Sequence, residues 1–285
     1  MSDFERVRPR LFGIAYRMLG SRADAEDVLQ DAYLRWHRNS GDQPRSPEAW
    51  LVTTVTRLCI DRLRAARTER DHYVGPWLPE PLIGEPAAAA DAAAELSSSL
   101  SIAFLVVLEL LTPDERAAFL LHEVFESEYG EIARILGRSQ AACRQMVSRA
   151  RKRVREQQPR AHVSDAAHRS ILGRFAHAVQ TQDKGELLAL LAEGASWTSD
   201  GGGLTRAALK VIRGRERVAR FVLAVLGRNM DRLAFETTLV NGEPALALLA
   251  QGQLFSIITV RTDGARILDV YTVLNPNKLA AAPSI

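Results

Sequence analysis

The chain has 285 residues, of which 47% are hydrophobic and 25% charged, with a formal net charge of +3; that is room for about two domains with buried cores. Two cysteines, Cys59 and Cys143, at no pairing or ligand spacing, exclude a disulfide-built secreted module. The start, MSDFERVRPRLF, has no apolar leader, and the longest apolar run, Ile102–Leu108, is far short of the roughly 20 residues that span a bilayer, so the expectation is a cytoplasmic protein with no membrane partner.

In chain order, Phe4, Val7, Leu11, Ile14, Tyr16 and Met18 give a first helix an apolar face, and Gly20 ends it. Asp24–Trp36 forms a second helix, and the polar stretch His37–Ser46 a loop. Ser46 as N-cap and Pro47 in the first turn open a third helix through Trp50, Val55, Leu58 and Leu63. In that pattern Trp50 belongs to the core. His72–Ala90 holds four of the 12 prolines and reads as a linker, with helices resuming near Asp91. Thr112-Pro113-Asp114-Glu115 has the form of a capping box. Ser127 is expected to cap a short helix ending at Gly137, and Ser139 to cap the next.

Charge is concentrated there: Arg138–Arg160 carries eight basic residues against Glu156 alone. A short helix, a glycine turn and a basic helix form a helix-turn-helix. Ala141, Ala142, Met146, Val147 and Ala150 supply its packed side, leaving Gln140, Arg144, Gln145, Ser148 and Arg149 outward. Arg can fork onto guanine and Gln onto adenine in a major groove. Arg149, Arg151, Lys152, Arg153 and Arg155 suit phosphates. A merely solvated basic surface is the plainer alternative.

After Pro159, helices near Ala166–Gln182, Lys184–Ala192 and Gly214–Leu226 precede strands Leu233–Val240, Ala245–Leu249, Leu254–Arg261 and Ile267–Leu274. Asn241-Gly242 and Asp263-Gly264 are hairpin turns, so a separate α+β domain with an antiparallel sheet is expected.

Taken together, Glu26-Asp27-Val28-Leu29-Gln30-Asp31-Ala32-Tyr33-Leu34-Arg35-Trp36, Leu111-Thr112-Pro113-Asp114-Glu115-Arg116 and Glu131-Ile132-Ala133 resemble regions 2 and 4 of an extracytoplasmic-function sigma factor. The tail resembles a SnoaL-like domain, which a subgroup of these factors carries. Its landmarks are Trp77-Leu78-Pro79-Glu80-Pro81-Leu82, Asp200-Gly201-Gly202-Gly203 and Asn275-Pro276-Asn277-Lys278-Leu279. Leu204 and Asn277 depart from the subgroup's usual Lys and Asp.

The resemblance implies a multidomain fold: two all-α sigma domains (a region 2 helical bundle and a region 4 helix-turn-helix) plus an α+β SnoaL-like cone. The corresponding ranges are 1–71, 91–158 and 165–279, with the linker at 72–90. It implies that Asp24, Asp27, Gln30, Asp31 and Arg35 grip the β′ clamp of core RNA polymerase, with region 4 at the β flap. It places His37, Arg38, Asn39, Arg57, Arg62 and Arg64 at the −10 element of promoter DNA, where Trp50 could stack on a base, although its amphipathic pattern with Leu51 and Val55 favours the core. It places Ser139, Gln140, Arg144, Gln145, Ser148, Arg149 and Lys152 at the −35 element. Trp77, Leu78, Pro79, Asp200, Asn275 and Lys278 become regulatory residues, and no separate anti-sigma factor is expected.

Other readings differ at the tail. A SnoaL-like domain fused to a DNA-binding regulator could sense a small-molecule ligand or act as an enzyme, with Asp200, Asp269, Tyr271 and Trp197 as candidates. No spacing among them defines a catalytic site, and Asp200 before three glycines reads as a turn residue. The six histidines include no i, i+4 pair on one face, so neither metal nor cofactor is expected. A free-standing repressor or activator explains the basic helix but not the acidic Asp24–Trp36 face.

Overall fold

The structure is a computed structural model that describes residues 3–38, 44, 46–84, 100–157, 163–226 and 233–280, leaving aside the side chains of 67–69 and 71. Asn39, most of the loop expected before Ser46 and the helical restart near Asp91 lie outside the described residues. The chain divides into two compact units.

The first unit is helical. It contains α1 (Asp3–Leu19), α2 (Arg22–Arg38) and α3 (Pro47–Asp71), most of α4 (Ile102–Leu108), and α5 (Pro113–Glu123), α6 (Tyr129–Leu136) and α7 (Gln140–Gln157). The apolar stripe of α1 is buried, and Gly20 ends the helix at φ 68° with its N–H on the Tyr16 carbonyl. Helix α2 runs through His37 and Arg38, which the sequence assigned to a loop. Helix α5 opens on the expected capping box, in which Thr112 and Glu115 satisfy each other's backbone N–H groups.

Helix α6 differs from expectation. Its N-cap is Glu128, without a side-chain cap, while Ser127 is buried with no hydrogen-bond partner for its Oγ among the described residues. Gly137 takes the left-handed conformation at its end, φ 63°, and Ser139 accepts from the Ala142 N–H to start α7. The packed side of α7 is Cys143, Met146, Val147, Ala150 and Val154; Ala141 is exposed and Ala142 only half-buried. Met146, Val147 and Ala150 are buried as expected, while Cys143 and Val154 take the places given to Ala141 and Ala142, because the helix meets α5 and α6 through the face centred on Val147.

The second unit holds residues 72–84, residues 101–103 and the chain from 163 onward. Helices α8 (Asp165–Gln180) and α9 (Lys184–Leu190) lead into β1 (Leu191–Asp200), β2 (Ile212–Arg213), α10 (Arg215–Val225) and β3 (Leu233–Val240). Then come β4 (Glu243–Ala250), β5 (Gln253–Thr262), β6 (Ile267–Val273) and α11 (Pro276–Leu279). They form a six-stranded sheet in the order β2-β1-β6-β5-β4-β3, in which β1 and β6 are parallel and the other pairs antiparallel.

The sheet is therefore mixed rather than antiparallel, and β1 and β2 correct the expectation. Leu191 and Ala192 begin β1 instead of ending a helix. The sequence of β1, LAEGASWTSD, has few residues with strand preference; position between β2 and β6 makes it a strand. One face of the sheet, with Trp197, Leu246, Leu248, Ile258, Val260 and Val270, shares a core with Phe175, Leu187 and Val222 of α8, α9 and α10. Asn241 and Gly242, at φ 55° and 82°, make the tight β3–β4 turn that joins two twisted strands.

Candidate nucleic-acid interface and linker clasp

Helix α2 presents Asp27, Gln30, Asp31 and Arg35 exposed, with Asp24 half-buried and the apolar Leu34 45% exposed beside them. An acidic face flanked by an uncovered leucine suits a protein partner. Arg62 of α3 reaches across to Asp24 and Asp27, and the Asp24 hydrogen bond holds its guanidinium above the usual arginine range.

His37 packs edge-on against Tyr33, with ring centroids 4.5 Å apart, and Arg38 is exposed. Trp50 is half-buried rather than a core residue: its ring lies 5.6 Å from Trp36. It lines a groove of about 540 Å³ with Arg35, Thr53, Thr54 and Arg57, whose opposite wall is Glu131 and Arg134 of α6. Arg57 donates to the Ile135 and Arg134 carbonyls at 2.9 and 3.1 Å, and Arg64 pairs with Asp114 at 2.8 Å. Arg57, Arg62 and Arg64, expected along the −10 strand, thus have partners inside the helical unit.

On α7 the residues Gln140, Arg144, Gln145, Ser148, Arg149 and Lys152, and Ser139 before it, are all exposed. Arg144 stacks over the Tyr129 ring at 5.3 Å, which holds its guanidinium beside the helix start. Arg149 and Arg153 pair with the buried Glu115 at 3.3 and 2.8 Å, and Arg151 pairs with Glu123. Burial alone would raise the Glu115 carboxyl, but the Thr112 hydrogen bonds and these arginines hold it below the usual carboxylate range. Three arginines expected at phosphates therefore brace α7 against α5.

The regulatory candidates converge. Asp200, fully buried at the end of β1, is not a free turn residue. It accepts from the Tyr73 hydroxyl at 2.5 Å, the Leu78 N–H at 2.8 Å and the Lys278 ammonium at 2.7 Å. Lys278 also donates to the Leu78 carbonyl and lies 4.2 Å from the Trp77 ring centroid. Asn275 caps α11 through its Oδ1 and donates its amide to the Tyr73 hydroxyl at 2.9 Å. Desolvation, then the bond to Asp200, pushes the Tyr73 phenol above its usual range.

The glycines after Asp200 make room for this. A Cβ on Gly202 would sit 2.3 Å from the Asn275 amide, and its φ of 59° disfavours a side chain in any case. Leu204, 62% exposed, and Asn277, also exposed, lie off the clasp, so the two departures from the subgroup's pattern leave it intact.

The linker is held at a second point that the sequence did not signal. Leu82 exchanges hydrogen bonds with Asn241, Ile83 bridges Val240, and the Gly84 N–H meets the Leu239 carbonyl. Between the anchors Leu78, Pro79, Glu80 and Pro81 are buried. Since β1 and β3 are separated by three strands, this extended strap crosses the sheet from one anchor to the other. Tyr73 and Asn241 are the functional residues missed; only the Asn-Gly turn marked one of them, and as a turn.

The carboxylates considered for proton transfer are both committed: Asp200 to the clasp, Asp269 to Ser196 at 2.5 Å and to Arg261. Among the described residues, no cluster of His, Cys, Asp and Glu could hold a metal ion, and no helix is long and apolar enough to cross a membrane.

An exposed acidic face on α2, a groove beside Trp50 and an exposed Gln/Arg face on α7 lie on one helical unit, an arrangement of the sigma-70 type. Family models agree: residues 4–69 match Sigma-70 region 2 and residues 101–154 match Sigma-70, region 4. The chain is 38% identical to the ECF RNA polymerase sigma factor SigJ of Mycobacterium tuberculosis, over 99% of this chain and 94% of that protein. It is 29% identical to the probable ECF RNA polymerase sigma factor SigI of the same species, over 95% and 92%. The crystal structure of M. tuberculosis SigJ superposes with a TM-score of 0.78 at 34% identity, covering 99% of both chains. The chain belongs to the extracytoplasmic-function RNA polymerase sigma factors, which direct promoter-specific transcription initiation.

Proposed function

We propose that this sigma factor is controlled by its own C-terminal domain through the linker strap. The supporting observation is that residues 73–84, which lead from region 2 towards region 4, are built into the second unit at Asp200 and at Asn241. A strap held this way removes those residues from the chain that joins the two DNA-reading regions. Releasing it lengthens that tether and changes how the two regions reach a promoter at once. A coupling of about 1–3 kcal/mol is typical of such switches.

In this reading Asp24, Asp27, Gln30, Asp31 and Arg35 meet the β′ clamp, and region 4 meets the β flap. The groove at Trp50 takes −10 bases, and His37, Arg38, Asn39, Arg57, Arg62 and Arg64 contact the same promoter element. Gln140, Arg144, Gln145 and Ser148 read −35 base edges, while Ser139, Arg149 and Lys152 position the backbone. The protein works in the cytoplasm with core polymerase, as a non-catalytic subunit and without a separate anti-sigma factor, the fused domain serving that purpose.

Run-off transcription tests this. Core polymerase with the full chain is expected to give a promoter-specific transcript, and truncation after Gln158 is expected to change its yield. An unchanged yield rules out control by the C-terminal domain; no specific transcript from any cognate promoter rules out the roles given to the two reading faces.

A further inference from the structure

Part of the reading face of α7 is held by side chains of α5 and α6. The Tyr129 ring, at the start of α6, lies 4.3 Å from the His122 ring in the last turn of α5, and His122 meets the Ser127 carbonyl through its Nδ1 at 3.2 Å. A carbonyl only accepts, so that nitrogen carries a proton and the imidazole is fixed in one orientation. The Arg144 guanidinium lies 5.3 Å from the Tyr129 ring centroid and donates from Nη2 to the Gln140 Oε1 at 3.4 Å. Tyr129 is half-buried, whereas Gln140 and Arg144 are exposed. A long exposed arginine otherwise samples many rotamers, and ordering it at a base edge costs affinity; an aromatic ring against the guanidinium settles its place beforehand.

The contact with Gln140 fixes chemistry as well as position. A guanidinium has N–H donors and no acceptor, so the amide atom facing it is the oxygen. A glutamine reads adenine by taking the N6 hydrogen on that oxygen while its amide nitrogen gives to N7. With the oxygen turned towards Arg144, the pair presents N–H groups outward instead. Guanine, with N7 and O6 side by side, is the base whose major-groove edge offers two acceptors.

We infer that Tyr129 is a positioning residue for −35 recognition: its ring holds Arg144 against Gln140, and the pair acts as one donor-rich reader of guanine, in place of an adenine-reading glutamine beside an independent arginine. The inference rests on the −35 role given to α7 in the proposed function. It adds the base that this part of the face selects, and a residue outside the recognition helix that enforces the choice. Tyr129 acts through Arg144 and needs no contact with a base.

The test is selection by the holoenzyme, core polymerase with the full chain, from a random-sequence duplex library, with the enriched sites sequenced to give base preference position by position. Arg144→Ala identifies the position this side chain reads, and guanine is expected there in the parent. Tyr129→Leu should lower guanine enrichment at that position about two- to fivefold, the loss expected for an exposed cation–π contact, while other positions keep their preference. Tyr129→Phe retains the ring and should behave as the parent. In the Arg144→Ala background, Tyr129→Leu should add nothing at that position. Gln140→Ala, on an exposed side chain and so independent of packing, should lower the same guanine preference and remove no adenine preference. A base other than guanine at the Arg144-dependent position overturns the inference, as does an adenine preference lost with Gln140. So does Tyr129→Leu if it leaves that position unchanged or weakens every position evenly, the mark of a merely structural tyrosine. If Arg144→Ala alters no base preference, the −35 role of Arg144 falls and takes the inference with it, so failure of that reading is distinguishable from failure of the Tyr129 assignment alone.

Discussion

Asp200→Asn is the substitution that tests the linker clasp most directly. The native carboxylate is fully buried and accepts three hydrogen bonds, one from an ammonium whose side chain is itself only 12% exposed. Asparagine is nearly isosteric, but it carries no charge and turns an NH2 towards one of three donors. The Lys278 ammonium keeps the Leu78 carbonyl and the Trp77 ring but loses its counter-charge. Breaking a buried pair from one side costs about 3–5 kcal/mol; with those partners retained, about 2–4 kcal/mol is expected. Equilibrium urea unfolding of the full chain, followed by tryptophan fluorescence, reads this loss, and chymotrypsin cleavage after Trp77 reads release of the strap. Asp200→Asn/Lys278→Met should recover about 1–3 kcal/mol of the loss, because no orphan charge remains. A loss under about 1 kcal/mol with Trp77 still protected would refute the claim that this carboxylate holds the linker.

Three further outcomes are expected. Arg144→Ala should relax base preference at one −35 position, whereas Lys152→Ala should weaken duplex binding evenly and flatten its salt dependence, both read by fluorescence anisotropy across a salt series. Glu243, whose burial and then the nearby Asp165 raise its carboxyl from 4.5 to about 7, is protonated in both folded and unfolded chains below about pH 4. Stability it contributes at low pH is lost as pH rises through 7, so Glu243→Gln should be more stable than the parent by up to about 3 kcal/mol at pH 8 and equal to it at pH 4; a pH-independent difference in unfolding midpoint contradicts this. Thr112→Ala removes the α5 capping box and should cost the helical unit about 1 kcal/mol in the same unfolding assay.

What could be read in advance was whatever depends on neighbours in the chain. The stop at Gly20, the Thr112–Glu115 box, the left-handed Gly137 and the Asn241-Gly242 turn are local steric or hydrogen-bonding facts, and the structure carries each of them. Ser127 shows the limit of that logic. A serine before a helix is a good cap in isolation, but here burial of its side chain and the path into α6 leave Glu128 in the cap position. Strand β1 is the larger miss, since a weakly strand-forming segment was set by pairing with β6, some 70 residues further on.

The sequence alone determined the order of the parts, the exposed Gln/Arg face of α7 and the acidic face of α2, because helical periodicity decides which side chains share a face. Only the tertiary structure decided what those side chains touch. It turned Arg149 and Arg153 onto Glu115, Arg57 onto the end of α6, and a presumed turn aspartate into the buried anchor of the linker. The physical reason is common to all three. A charge or carbonyl left without a partner inside a protein costs free energy, and that partner is supplied by whichever residue the fold brings near, regardless of its distance along the chain.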